Sequence, residues 1–360
     1  MPDDALSQLD IWYICDLSLC NFDCAYCASG SPEKGGPRTR KKLWQDDDGP
    51  QRLRPILQWI ATLPYSVGLR LQTIGEPFLS QEFLAAASGM TTKQNIRFVE
   101  LVTNGSLLTG GLKRMIDYGA DLSKLTLWIT FHHTEISPER LVENAIFAVQ
   151  QGAYAVVNAL LFPDAIEPVA RLHQLCAAHD LETNVDLGQN FNDAYPNFPF
   201  IPLAEDENVL ALSALVPNSK MALISIVAAT APQGLNCSAG HDYIFIDRNG
   251  DVYPCLAYLR YRPSTKMGCA LDPEFVLPLR TAKYAPCSVE KGCTCKEDFL
   301  HLEAAEAGPT RERSLGYWPL APAQPIDHLL MERLDRIKQS GTLADSGFWQ
   351  RHIAPRTKTL

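Results

Sequence analysis

From residue 68 to residue 187 the chain repeats one unit, a short stretch rich in Val, Ile, Leu and Thr followed by an amphipathic segment. The pattern predicts strands at 68–74, 96–103, 125–131, 154–162 and 183–187, and helices at 79–88, 108–118, 138–151 and 167–179. The apolar run Ile11 to Cys15 supplies a first strand. A helix opening at Gly49-Pro50 follows, with Leu53, Ile56, Leu57, Ile60 and Ala61 at helical spacing. Ser137-Pro138-Glu139 marks one helix start, and Gly119 and Gly152 stand where helices end. Alternation repeated this often requires a parallel sheet with helices packed outside it.

Polarity along the strands distinguishes a flat sheet from a curled one. In 125–132, Leu125, Leu127, Ile129 and Phe131 share one face, while Thr126, Trp128, Thr130 and His132 share the other. The same parity puts Gln72, Glu100, Asn104, Asn158, Asn184 and Asp186 on the polar face. A flat sheet buried on both faces reads as continuous apolar runs, so a polar lumen is expected. The predicted class is α/β, a partial (β/α)6 TIM-like barrel with a cysteine-rich C-terminal extension.

The rhythm stops after residue 192. Residues 192–202 read as a Pro/Asn-rich linker and 205–230 as a helix, a turn and a strand. Residues 243–255 contain two alternating runs around Asn249-Gly250, a hairpin signal. An amphipathic helix is expected at 326–338. The predicted division is a barrel at 1–200, a late cysteine region at 201–310 and a helical extension at 311–360. Gly30 to Lys42 and the acidic run Asp46 to Asp48 read as solvated loops. The formal net charge of -9 argues against a nucleic-acid partner. No apolar run is long enough to span a membrane, and the acidic start (Asp3, Asp4) lacks a basic signal region, so a cytoplasmic address is expected.

Eleven cysteines in such a chain point to metal or redox chemistry. Cys20, Cys24 and Cys27 form a C-x3-C-x2-C loop directly after the first strand, and three thiolates on one loop can hold a cluster while leaving one corner open. A structural zinc site using Cys15 would draw a ligand from within a strand, and a closed ferredoxin-like cluster would need a fourth nearby thiolate. Cys237, Cys255, Cys287, Cys293 and Cys295 form a second group, and Cys176 reads as core packing.

The cysteine loop, with Tyr26 just before its last cysteine, resembles that of the radical S-adenosylmethionine enzymes. Thr73-Ile74-Gly75-Glu76-Pro77 is similar to the family's Gly-Gly-Glu-Pro segment, with Ile74 in place of the first glycine. The resemblance implies a 4Fe-4S cluster on Cys20, Cys24 and Cys27 that binds S-adenosylmethionine at its open iron. It further implies that Gly75, Glu76 and Pro77 hold the methionine amino group, with Tyr26, Asn104, Thr130, His132 and Asn158 in the same cofactor site. The fifth-strand segment 158–162 lacks the family's adenine-side glycines. Cys237, Gly250 and Cys255 resemble the start of a SPASM or twitch extension, although the C-x2-C-x5-C-x3-C block is absent. One auxiliary 4Fe-4S cluster on Cys237, Cys255 and two of Cys287, Cys293 and Cys295 is therefore expected; four-thiolate zinc is the alternative.

On this resemblance the expected activity is reductive cleavage of S-adenosylmethionine to a 5'-deoxyadenosyl radical, which takes a hydrogen atom from substrate. The favoured outcome is oxidation of a small molecule, with Asp186 as the lumen carboxylate that contacts substrate or accepts its proton. Two other outcomes are a peptide cross-link or thioether and an epimerisation in which Cys269 returns a hydrogen atom. A flavodoxin- or ferredoxin-type electron donor is implied. The non-enzymatic alternative is an iron-sulfur or zinc binding protein on the same scaffold.

Overall fold

The structure is a computed structural model that describes residues 6–27, 43–44, 46–162, 164–188, 232–290, 292–293, 295–305 and 312–317. Strands β1 (Gln8–Cys15), β2 (Ser66–Thr73), β3 (Ile96–Thr103), β4 (Leu125–Phe131), β5 (Tyr154–Leu161) and β6 (Glu182–Leu187) alternate with helices. These are α1 (Gly49–Thr62), α2 (Gln81–Thr91), α3 (Leu108–Asp117), α4 (Pro138–Gln150) and α5 (Ile166–Ala178). Every neighbouring pair from β1 to β6 is parallel, and the strands lie in chain order. A doubly wound sheet reverses its order once. An unreversed order with right-handed crossovers leaves all helices on one face, so the sheet curls around the other.

The two faces separate as their side chains dictate. Leu9, Ile11, Leu69, Leu71, Val99, Leu101, Leu127, Ile129, Val157 and Leu161 pack into one core with the apolar stripes of the helices. Helix α1 buries Leu53, Ile56, Leu57 and Ile60, as its spacing requires. Ser137 caps α4 by accepting a hydrogen bond from Arg140 N. Gly119 and Gly152 adopt φ of 80° and 96° after α3 and α4, a conformation only glycine takes without strain. On the inner face a second core gathers Trp12, Phe98, Tyr243, Phe245, Tyr253, Leu256, Val289 and Leu315.

The late hairpin is part of the same sheet. β8 (Tyr243–Ile246) and β9 (Asp251–Tyr253) turn at Gly250, whose φ is 86°. β8 lies parallel to β1, with Asp10 opposite Tyr243 and Tyr13 opposite Ile246. β10 (Gly268–Cys269) completes a nine-stranded sheet of order β10-β9-β8-β1-β2-β3-β4-β5-β6. The first strand of an open barrel has an unpaired edge of N–H and C=O groups, and β8 satisfies it. Ile244 and Ile246 extend the helix-side core while Tyr243 and Phe245 extend the inner one. β7 (Asn236–Cys237) and β11 (Ala285–Pro286) form a separate antiparallel pair; the short helix α6 (Leu256–Tyr261) lies between β9 and β10, and α7 (Lys296–Phe299) follows β11. The predicted linker 192–202, the elements at 205–230 and the helix at 326–338 lie outside the described residues, as does the loop from Gly30 to Lys42. Among the described residues no helix is long and apolar enough to cross a membrane.

Candidate active site

The loop after β1 carries Cys20, Cys24 and Cys27 to the C-terminal rim of the parallel strands. Its backbone is fixed from two sides. Ser18 N and Leu19 N donate to Leu43 O, and Gly75 N and Glu76 N donate to Leu17 O (2.8 Å) and Leu19 O (2.8 Å). Gly75 is there because of that contact, since a Cβ would stand 2.1 Å from Leu19 O. Cys20 Sγ accepts from Phe22 N (3.5 Å) and from Asn104 Nδ2 (3.8 Å), and Cys24 Sγ lies 3.2 Å from His132 Nδ1. Cys15, within β1, is buried in the helix-side core, and burial pushes its thiol far above the ordinary range. Cys176 is likewise core, its thiol raised by burial to about 12.

Glu76 joins the ends of β2 and β3. Its side chain is buried; one oxygen accepts from Phe78 N (3.2 Å) and Thr103 Oγ1 (2.7 Å), the other from Asn104 N (2.8 Å). Burial pushes its carboxyl up to about 7, against the hydrogen bonds from Asn104, Thr103 and Phe78 that favour the anion. The carboxylate expected to meet a methionine amino group is thus engaged as an internal brace. Pro77 opens a 3-10 turn, Pro77–Leu79, of which Glu76 is the cap. Asn104 ties the β3 end to the loop, with Nδ2 donating to Asn21 Oδ1 at 2.9 Å. Tyr26 is buried, stacked on His133 at 5.2 Å and set against Phe162 at 4.5 Å, so its ring seats the loop on the ends of β4 and β5.

Below this rim, register places Thr130, Asn158 and Asn184 side by side on β4, β5 and β6, and Asn184 Nδ2 donates to Asn158 Oδ1 at 2.5 Å. Asp186 stands two residues further along β6 and forms an ion pair with Lys296. Arg70, buried on β2, contacts Glu100 at 2.8 Å and Glu297 at 2.5 Å, and its guanidinium lies 4.9 Å from the Trp128 ring. Burial opposes the Arg70 charge, yet Glu297 and Glu100 outweigh it and raise the pKa. For Lys296, burial prevails and lowers the pKa, with Asp186 opposing. Ser314 and Leu315 N close the far side by donating to Glu100. Sequence reasoning missed Lys296, Glu297 and Arg70. The odd feature that flags the first two is a run of three charges directly after Cys295.

The late cysteines converge. Pairing of β7 with β11 sets Ala285 opposite Cys237, and Cys287 N donates to Leu235 O at 2.8 Å. Cys255 lies two residues past β9 and directly precedes α6. Cys237, Cys255, Cys287 and Cys293 lie within electrostatic range of one another, and burial raises all four thiols, Cys237 to about 12. Cys295 is the residue before α7. Asp298 sits among them, accepting from Tyr243 Oη (2.8 Å), Leu256 N (3.3 Å) and Ala257 N (3.2 Å), and burial raises its carboxyl to about 6. Among the described residues no three His, Cys, Asp or Glu side chains are spaced to hold a single metal ion. Cys269 stands apart on the edge strand β10, its Sγ 3.9 Å from Asn249 O.

The two donor sets fit clusters in their chemistry: each is all-thiol, the first with N–H donors on its sulfur and a glycine cradle beside it. No family model matches the sequence, and no curated protein does. Among solved structures, SuiB of Streptococcus suis bound to S-adenosylmethionine is 16% identical, covering 77% of this chain and 68% of its own, with a TM-score of 0.48. Native anSMEcpe with bound AdoMet is 14% identical over 73% of this chain and 78% of its own, TM-score 0.49. BtrN in complex with AdoMet and 2-DOIA is 13% identical over 73% and 78%, TM-score 0.37. At such distances the residues of this chain, and not its neighbours, carry function. In the order of its motifs and in the parallel sheet that holds them, this chain resembles the radical S-adenosylmethionine enzymes.

Proposed function

We propose that this protein is a radical S-adenosylmethionine enzyme that oxidises a small polar molecule with the help of an auxiliary cluster. The observation that carries the reading is the docking of the Gly75-Glu76 strand end and the Asn104 turn against the loop of Cys20, Cys24 and Cys27. Those three thiolates would hold a 4Fe-4S cluster that binds S-adenosylmethionine, and Cys237, Cys255, Cys287 and Cys293 would hold a second. When bound, the first cluster would supply the electron for reductive cleavage of S-adenosylmethionine, and the second would offer an acceptor for an electron from the substrate.

The chain's own residues bind, orient and move a proton. Thr130 and Asn158, side by side on β4 and β5, would offer a hydroxyl and an amide to the ribose and base of the cosubstrate. Asp186, the carboxylate of the lumen row, takes the proton lost when the substrate radical is oxidised. Trp128, Arg70, Glu297 and Leu315 fill the lumen beneath, which excludes water from that end and favours a small substrate. Cys269, on the outer edge strand, gives no support to hydrogen return from that thiol.

Anaerobic reconstitution tests the reading. About eight irons and eight sulfides per chain are expected for two clusters. Uptake of about four, with zinc retained, would contradict the auxiliary cluster.

A further inference from the structure

Helix α7 is four residues long, and every one of them is buried. Three are charged, and each reaches a different part of the sheet. Lys296 pairs with Asp186 on β6. Glu297 pairs with Arg70 on β2, which passes the charge on to Glu100 on β3. Asp298 accepts from Tyr243 on β8 and from the first two N–H groups of α6, directly after Cys255. A single helical turn does not hold its own shape. Its position is set by these three contacts and by the packing of Phe299, Leu300 and Leu302, and Cys293, in the same core, lies three residues ahead of it.

The partner of Lys296 needs a support of this kind. β6 is the last strand of the sheet, and among the described residues only β5 pairs with it. Edge strands open at lower cost than central ones. Asp186 keeps 27% of its side chain exposed to the lumen, so its backbone ladder alone does not fix where the carboxylate points. Lys296 holds Oδ1 from the buried side, 8% exposed, and its own ammonium lies 5.5 Å from the Trp128 ring.

We propose that Lys296 is a positioning residue that orients Asp186 in the lumen, and that metal loading at Cys293 and its partner cysteines fixes this orientation through α7. The proposal rests on the reading of the late cysteines as ligands of an auxiliary cluster. In it, the auxiliary site shapes the pocket in which the substrate is oxidised as well as receiving its electron.

Amide hydrogen exchange separates the two claims. In a full-length Cys20→Ala, Cys24→Ala, Cys27→Ala variant, iron and sulfide have only the late cysteines to occupy. Anaerobic loading of that variant should slow exchange several-fold in the peptides 182–188 and 66–73. Adding Lys296→Met keeps the stem's length and leaves Asp186 in contact with water, so the chain is expected to fold and to take up the same iron. It should retain the protection of 66–73, which runs through Glu297, and lose that of 182–188; Lys296→Arg should restore it. Asp186→Asn, which breaks the pair from its exposed side, should behave as Lys296→Met does. Iron uptake with no change at 182–188, or a Lys296→Met protein indistinguishable from its parent, overturns the proposal while leaving the auxiliary cluster standing. A triple variant that takes up no iron overturns the auxiliary cluster itself.

Discussion

Two adjacent residues, Gly75 and Glu76, hold the cysteine loop on the sheet by different means. Gly75 gives room: a methyl group there meets Leu19 O at 2.1 Å, so Gly75→Ala must push the loop and the strand end apart. The expected cost is about 1–3 kcal/mol in urea unfolding, together with loss of iron uptake at Cys20, Cys24 and Cys27. Glu76 gives polarity. Its folded pKa, about 7, lies above the ordinary value of 4.5, so the folded chain binds a proton that the unfolded chain releases between those pH values. The resulting stabilisation is fully present below pH 4.5 and is lost as pH rises through about 7, to a total of about 3 kcal/mol. Unfolding measured across that window should show this slope in the native protein and a flatter one in Glu76→Gln; equal slopes would contradict it. The cysteine loop and Gly75-Glu76 were legible in the sequence because their spacing is local. The brace formed by Glu76 was not, because its partners Thr103 and Asn104 stand at the end of another strand.

At the scale of elements, periodicity carried the barrel. Strands β3 and β4 begin and end where their apolar alternation does, and the other described strands and helices of the barrel differ from expectation by one to three residues. Two features were hidden. The pairing of β8 with β1 satisfies an edge, and no local pattern records which strand an edge will accept. No local pattern marks Lys296-Glu297-Asp298 as interior, yet all three are buried because each meets a partner from a distant part of the chain. The Arg70, Glu100 and Glu297 group makes the energetic case. Arg70→Met strands two buried carboxylates and should lower stability by about 3–5 kcal/mol, read as a shift in the urea midpoint. Replacing all three with apolar residues of similar volume should recover much of that loss. A near-neutral Arg70→Met would show that water reaches this part of the lumen.

For the molecule as a whole, the two groups of cysteines occupy different mechanical positions. Cys20 and Cys27 lie half-exposed on a rim loop, whereas Cys255 and Cys293 are buried where the added strands and α7 meet the barrel. Replacing Cys20 and Cys27 with Ala should therefore leave the unfolding midpoint of the metal-free chain nearly unchanged, whereas the buried Cys24 should cost about 1 kcal/mol when cut to Ala. Cys255→Ser should lower stability by about 1–3 kcal/mol, since it sets a hydroxyl in an apolar site. Under the proposed function, the rim loop serves S-adenosylmethionine chemistry. The direct measurement is 5'-deoxyadenosine formed by the anaerobically reconstituted, dithionite-reduced protein given S-adenosylmethionine. Release is predicted from the native chain and none from the Cys20→Ala, Cys24→Ala, Cys27→Ala variant; a native protein with its reduced cluster intact that forms no 5'-deoxyadenosine would contradict that function.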